Sequence, residues 1–204
     1  GYVMILAVDV GNSNTTVGLF NGTGELLFRA LLETSRSKTR DQCAIELLGV
    51  FQLYGADACT VDGAILSSVV PPLTTIFTDA IARLTGIPPM VVGPGIRTGL
   101  NIKAEIHNQL GSDIVASSVA AIAKYPSPIV MVDMGTATSL SLIVGSVYEG
   151  CIIMPGLALA LDALSERAAA LPPISIETAS PVGLMGHTTE EAMRSGVLYG
   201  HASM

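Results

Sequence analysis

The chain has 204 residues, half of them hydrophobic and only 13% charged, with 10 basic against 17 acidic side chains and a net charge of −7. This composition allows a large buried core, yet no apolar run reaches the roughly 18 residues a membrane span needs. It also argues against a nucleic-acid partner, because no basic patch is clustered to meet a phosphate backbone.

Residues 4–10 and 15–20 read as two strands joined by the turn-rich Gly11-Asn12-Ser13-Asn14, and 25–32 as a third strand after Asn21-Gly22-Thr23-Gly24. Residues 39–54 carry Ala44, Leu47, Leu48 and Phe51 at helical spacing. A buried strand over 62–68, a helix over 72–85 closed by Gly86, and a short strand over 90–92 follow. A glycine-rich loop over 93–99 leads to a long helix over 108–124, with Val115, Val119 and Ile122 on one stripe. The strand–turn–strand unit then recurs over 129–144, and helices are expected over 157–170 and 189–199 with few further strands. The order β-β-β-α-β-α-β predicts an α/β fold of mixed sheets flanked by helices. Two domains are expected, 4–117 and 118–204, each opening on the same hairpin, with the second incomplete. Cys43, Cys59 and Cys151 fit no zinc or redox spacing and read as buried free thiols of a cytoplasmic protein.

The repeated unit carries the chemistry. Ile5 to Phe20 and Ile129 to Val144 each give an apolar run, an Asp-x-Gly, small polar residues and a second apolar run. An aspartate at a strand end followed by glycine sets a carboxylate beside backbone that a ligand can approach closely. The turn amides, with Asn12, Ser13, Asn14, Thr15 and Thr16, suit phosphate, and the carboxylate suits a divalent cation that neutralises it. A hairpin with a merely polar turn spells the same once; two copies favour a shared role. Neither a Walker loop nor a strand-to-helix dinucleotide motif is present.

Asp9-Val10-Gly11-Asn12-Ser13-Asn14-Thr15 resembles the first phosphate motif of the acetate/sugar kinase, actin and chaperone ATPase superfamily. Within it the resemblance is to type III pantothenate kinases. Val92 to Leu100, Gly111-Ser112-Asp113, Val132 to Thr138, Ile153 to Leu157 and Gly186 to Gly196 resemble further motifs of that family in collinear order. The resemblance implies an actin-like ATPase fold of two ribonuclease H-like domains. It also implies ATP-dependent phosphorylation of pantothenate at the start of coenzyme A synthesis, in a cytoplasmic homodimer.

By that resemblance Asp9, Val10, Gly11, Asn12, Ser13, Asn14, Thr15 and Thr16 would hold the ATP phosphates, with Asp9 on Mg2+ and Thr136 on phosphate from the other side. Asp133 would bind a monovalent cation, K+ or NH4+. Asp113 would be the base that accepts the proton of the acceptor hydroxyl, within a substrate segment Gly111, Ser112, Asp113 and Ile114. Thr189 would reach pantothenate from the neighbouring subunit. Plainer readings stand beside two of these: Asp113 as a helix N-terminal carboxylate, and Thr188 or Thr189 as a helix cap.

Two departures fall on the acceptor side. The family's Gly-Ala-Asp-Arg is Gly111-Ser112-Asp113-Ile114 here, and isoleucine donates no hydrogen bond. The family's Tyr-Asp-Asn-Pro aligns with Ala104 to His107, so an aromatic contact is expected to be missing. These departures raise two alternatives: a related kinase with another small-alcohol acceptor, and a non-catalytic relative of the Bvg accessory factor type.

Overall fold

The computed structural model describes residues 3–93, 96–103, 109–168, 170–176, 181 and 183–204. The chain divides into two compact units, Gly1–Tyr125 and Pro126–Met204.

In the first unit β1 (Met4–Val10), β2 (Asn14–Asn21) and β3 (Leu26–Glu33) form an antiparallel meander. β4 (Gly63–Ser68) and β5 (Met90–Val91) join it in parallel, giving the order β3-β2-β1-β4-β5. A two-residue strand β6 (Asn101–Ile102), absent from the sequence expectation, follows the loop. The two-residue period decides which side chains enter the core. Leu6, Val8 and Val10 of β1 and Ala64 and Leu66 of β4 are buried on one face. Each fully buried leucine there contributes about 2 kcal/mol.

Helices α1 (Arg40–Leu53) and α2 (Pro71–Thr85) supply the apolar partners of that face. α1 starts where the chain offers a capping box: the Thr39 hydroxyl accepts from the Gln42 amide at 3.3 Å, and the Gln42 side-chain oxygen accepts from the Thr39 amide at 2.8 Å. Its buried stripe is Cys43, Leu47, Val50 and Phe51, while Leu48 is exposed, so the helix is turned slightly from the expected stripe. α2 ends at Gly86, whose φ of +77° only glycine adopts freely. Helix α3 (Ser112–Lys124) is shorter than its sequence signal and belongs wholly to the first unit. Residues 104–108, where the expected helix began and where Ala104 and His107 fall, lie outside the described residues. Val115, Val119 and Ile122 are half-buried rather than a closed stripe.

The second unit repeats the meander with β7 (Ile129–Met134), β8 (Ala137–Val144) and β9 (Val147–Pro155). β9 was not expected from sequence: Gly150 and Pro155 interrupt its apolar pattern, and a register irregularity follows Leu142 on its partner β8. Helices α4 (Leu157–Arg167) and α5 (Thr189–Ser203) complete the unit, one ending earlier and the other later than expected. Of the thiols only Cys43 is buried; Cys59 and Cys151 are exposed, which corrects the expectation that all three are buried.

Tyr148 is fully buried and shares a 2.8 Å hydrogen bond with Ser141. Burial, aided by nearby Cys151 and opposed by the Ser141 bond, pushes its phenol from 10.0 up to about 12. A folded pKa above the unfolded one makes a contribution fully present below about pH 10 and lost as pH rises towards 12. Urea midpoints for the native chain should therefore fall between pH 10 and 12. The double variant Tyr148→Phe with Ser141→Ala should flatten that part of the profile; an equal fall in both proteins would reject the assignment.

Candidate active site

The period that fills the core on one face of the first sheet places polar residues on the other. Asp9 pairs with Thr16 across β1–β2 and with Ser67 across β1–β4. These three residues form one row near the carboxyl end of β1. One rung further along the sheet, Ala7 pairs with Gly18 and Ile65, and Gly18 pairs with Arg29.

α3 is tied to this row at its first turn. The Ser112 hydroxyl is 3.1 Å from the Ser67 hydroxyl, accepts from the Ser68 amide at 3.1 Å and donates to the Ser68 carbonyl at 3.0 Å. Three bonds from one hydroxyl fix the helix start over the end of β4. Asp113, next in the chain, accepts from the Ile114 amide at 2.8 Å, satisfying one of the free donors of the helix start. The Asp113 carboxylate lies against Gly111, where a Cβ would collide with it, so glycine at 111 leaves the carboxylate its place.

Between α3 and the sheet opens a cavity of about 480 Å³ lined by Asp9, Thr16, Ser67, Arg29 and Asp113 among small and apolar groups. Asp113, Ala116, Ser117 and Ala120 line it from the helix, the spacing of one helical face. Two carboxylates thus face one space, an arrangement that favours a cation between them.

The turn itself is tight. The Gly11 amide donates to the Asn14 carbonyl at 2.9 Å, and a Cβ at Gly11 would stand 2.9 Å from that oxygen. Asn12, Ser13 and Asn14 are exposed at the turn. Thr15 and Val10 face the other way. Thr15 is 1% exposed with its hydroxyl 2.8 Å from that of Thr34, and Val10 is fully buried, so neither side chain is open to a ligand. Of the adjacent threonines, Thr16 is the one whose side chain reaches the cavity.

In the second unit Asp133 and Thr136 are exposed at the β7–β8 turn, which the Gly135 amide closes onto the Ala137 carbonyl at 3.0 Å. The Gly156 amide donates to the Thr136 carbonyl at 3.0 Å, and no room remains for a Cβ at Gly156 against the Gly135 and Thr136 carbonyls. The helix cap of α5 is Thr188, whose hydroxyl accepts from the Glu191 amide at 3.2 Å, and Thr189 is exposed in the first turn. Ile114 is half-buried in the first turn of α3. Ser67, Gly18, Arg29 and Gly156 were not singled out from sequence. Ser67 carried a signal, a small polar residue ending an apolar strand as Asp9 does; the others depend on cross-strand pairing or on a close approach.

No group of three or more His, Cys, Asp or Glu side chains that could hold a metal occurs among the described residues. No helix among them is long and apolar enough to cross a membrane.

Residues 5–204 match the family model described as type III pantothenate kinase. A type III pantothenate kinase of Geobacillus sp. (strain WCH70) is 41% identical over 97% of this chain and 76% of its own length. One from Halalkalibacterium halodurans is 40% identical over 98% and 78%, and one from Listeria monocytogenes 39% identical over 97% and 75%. Among solved structures, a conserved putative Baf family transcriptional activator from Campylobacter jejuni superposes with TM-score 0.57 at 19% identity, over 97% of this chain and 76% of that one. A putative 2-dehydro-3-deoxygalactonokinase from Sinorhizobium meliloti gives 0.53 at 13% identity, over 99% and 79%. These two likenesses speak for the fold alone, the actin-like ATPase fold with ribonuclease H-like sheets flanked by helices. Sequence similarity over nearly the whole chain carries the family: the protein belongs to the type III pantothenate kinases.

Proposed function

We propose that this chain transfers the γ-phosphoryl group of ATP to the primary hydroxyl of pantothenate, giving 4'-phosphopantothenate and ADP at the entry to coenzyme A synthesis. The observation that carries this reading is the shared cavity of Asp9, from the first phosphate motif, and Asp113, from the acceptor motif.

The hydroxyl oxygen forms the new bond to phosphorus as the bond to the β-phosphate oxygen breaks, and its proton passes to the Asp113 carboxylate. Such transfers depend mainly on positioning and charge neutralisation, so a carboxylate held in place by the α3 start is a sufficient base. Asn12, Ser13, Asn14 and Thr16 are assigned to the phosphates through the turn and its side chains, while Gly11 closes that turn and Val10 and Thr15 frame it from the strands. Asp9 fits Mg2+, an ion that takes one or two protein carboxylates and fills its other positions with phosphate oxygens and water. When bound, that ion supplies neutralisation of the phosphate oxygens. Thr136 is assigned to phosphate, and Asp133 to K+ or NH4+. Thr189, freed from capping by Thr188, is assigned to the pantothenate of a partner subunit in a homodimer. A cytoplasmic location accompanies an ATP-dependent reaction.

With ATP, Mg2+ and K+ present, ADP release should depend on added pantothenate. Release that depends on another small alcohol and not on pantothenate would move the reading to an altered kinase. Nucleotide binding without turnover on any acceptor would move it to a non-catalytic relative.

A further inference from the structure

We propose that Arg29 on β3 is the specificity residue that receives the carboxylate of the acceptor. This rests on the pantothenate reading and deepens it. Pantothenate carries an anionic carboxylate at the end opposite its reacting hydroxyl, and it must enter a cavity that already holds Asp9 and Asp113. A third carboxylate in that space needs a cation of its own. At the first turn of α3 the residue after Asp113 is Ile114, which offers neither charge nor hydrogen bond.

Arg29 is the one cation among the described residues that lines the cavity. Among the described residues its guanidinium has no hydrogen-bond or ion-pair partner, while its backbone carbonyl accepts from the Tyr54 hydroxyl at 3.0 Å. The register explains how an edge-strand arginine comes to line this space. Its cross-strand neighbour is Gly18, which has no side chain, and the next strand offers the small Ala7. Phe20 and Leu26 lie beside Gly18, at 3.3 and 3.4 Å from where a Cβ would stand, and also line the cavity. A guanidinium is more weakly hydrated than an ammonium, and its planar fork is suited to bidentate capture of a carboxylate.

The separation also fits. Asp113 is held over the end of β4 through Ser112, and Arg29 stands on β3, with β1 and β2 between them. Three strand spacings are about 14 Å before the reach of the arginine is subtracted. An extended acceptor with nine bonds between hydroxyl and carboxylate oxygens compares with three peptide residues, about 10 Å. The donor phosphates are assigned to the 11–16 turn, at the carboxyl end of β1, whereas Arg29 belongs to the row of Ala7, one rung away from Asp9.

The test compares Arg29→Met and Arg29→Lys with the native full chain, measuring KM for pantothenate and for ATP separately. Arg29→Met should raise KM for pantothenate about 30-fold, as expected for loss of one charge-assisted pair. KM for ATP should stay within about threefold, and Arg29→Lys should recover part of the loss because it restores charge without the planar fork. A rise in KM for ATP equal to that for pantothenate would mean that Arg29 grips donor phosphate, and would overturn the proposal. Unchanged KM for both substrates would overturn it as well. Absence of pantothenate-dependent ADP release by the native chain would remove the reading beneath it, an outcome distinct from a working enzyme indifferent to Arg29. Melting curves of the variants should overlay that of the native chain, since Arg29 is exposed on an edge strand.

Discussion

Asp9→Asn should lower kcat/KM by about 10³-fold, roughly 4 kcal/mol of transition-state stabilisation. The substitution keeps shape and size and removes one negative charge. Asp9 is exposed at the end of β1, in the row shared with Thr16 and Ser67, so the change leaves the Leu6, Val8 and Val10 core untouched. The isosteric variant should therefore keep the native fold, as circular dichroism would show. The loss arises because a neutral amide holds Mg2+ poorly, and phosphates left without their cation repel Asp113 across the cavity. Raising Mg2+ should recover part of the rate if Asp9 acts through the ion. Turnover equal to the native chain would remove Asp9 from the phosphate site; loss of activity with loss of fold, seen by circular dichroism, would make it structural instead.

The order of elements in the first unit was legible because its signals are local. The Thr39–Gln42 capping box, Gly86 past the end of α2 and the apolar runs of β1 and β4 each act within a few residues. The hairpin repeat was legible for the same reason. Sequence could not separate Thr15 from Thr16, since both suit a phosphate turn. Their difference is the face of the strand, fixed when Val10 pairs with Thr15 and Asp9 with Thr16. Ser67 and Arg29 enter the cavity only through pairings with strands distant in the chain. Ser112 was read as a substrate residue from its motif, yet the structure engages its hydroxyl with Ser67 and Ser68, where it secures the helix that carries Asp113. β9 was lost because Gly150 and Pro155 weaken its pattern, although its last residues were visible as a motif without a stated reason.

Gly156 supplies that reason and the second large prediction. Its amide bonds the Thr136 carbonyl, and a methyl there would drive into the Gly135 and Thr136 carbonyl oxygens, which are backbone and cannot swing aside. Gly156→Ala must therefore push the β7–β8 turn away from the start of α4. Overpacking of this kind costs about 3 kcal/mol, a fall in Tm of roughly 6–12 °C for a chain of this size. The turn that moves carries Thr136 and follows Asp133, so turnover should fall beyond what the stability change explains when both proteins are assayed well below their melting range. Gly196→Ala is the matched control. It lies within α5, a Cβ there meets nothing within 4 Å, and a helical alanine should stabilise by up to about 1 kcal/mol. If Gly156→Ala melts with the native chain and turns over at its rate, the contact between this glycine and the turn does not govern the second phosphate motif. If it melts low but keeps its specific activity at low temperature, the contact supports the unit and the turn geometry is irrelevant to transfer.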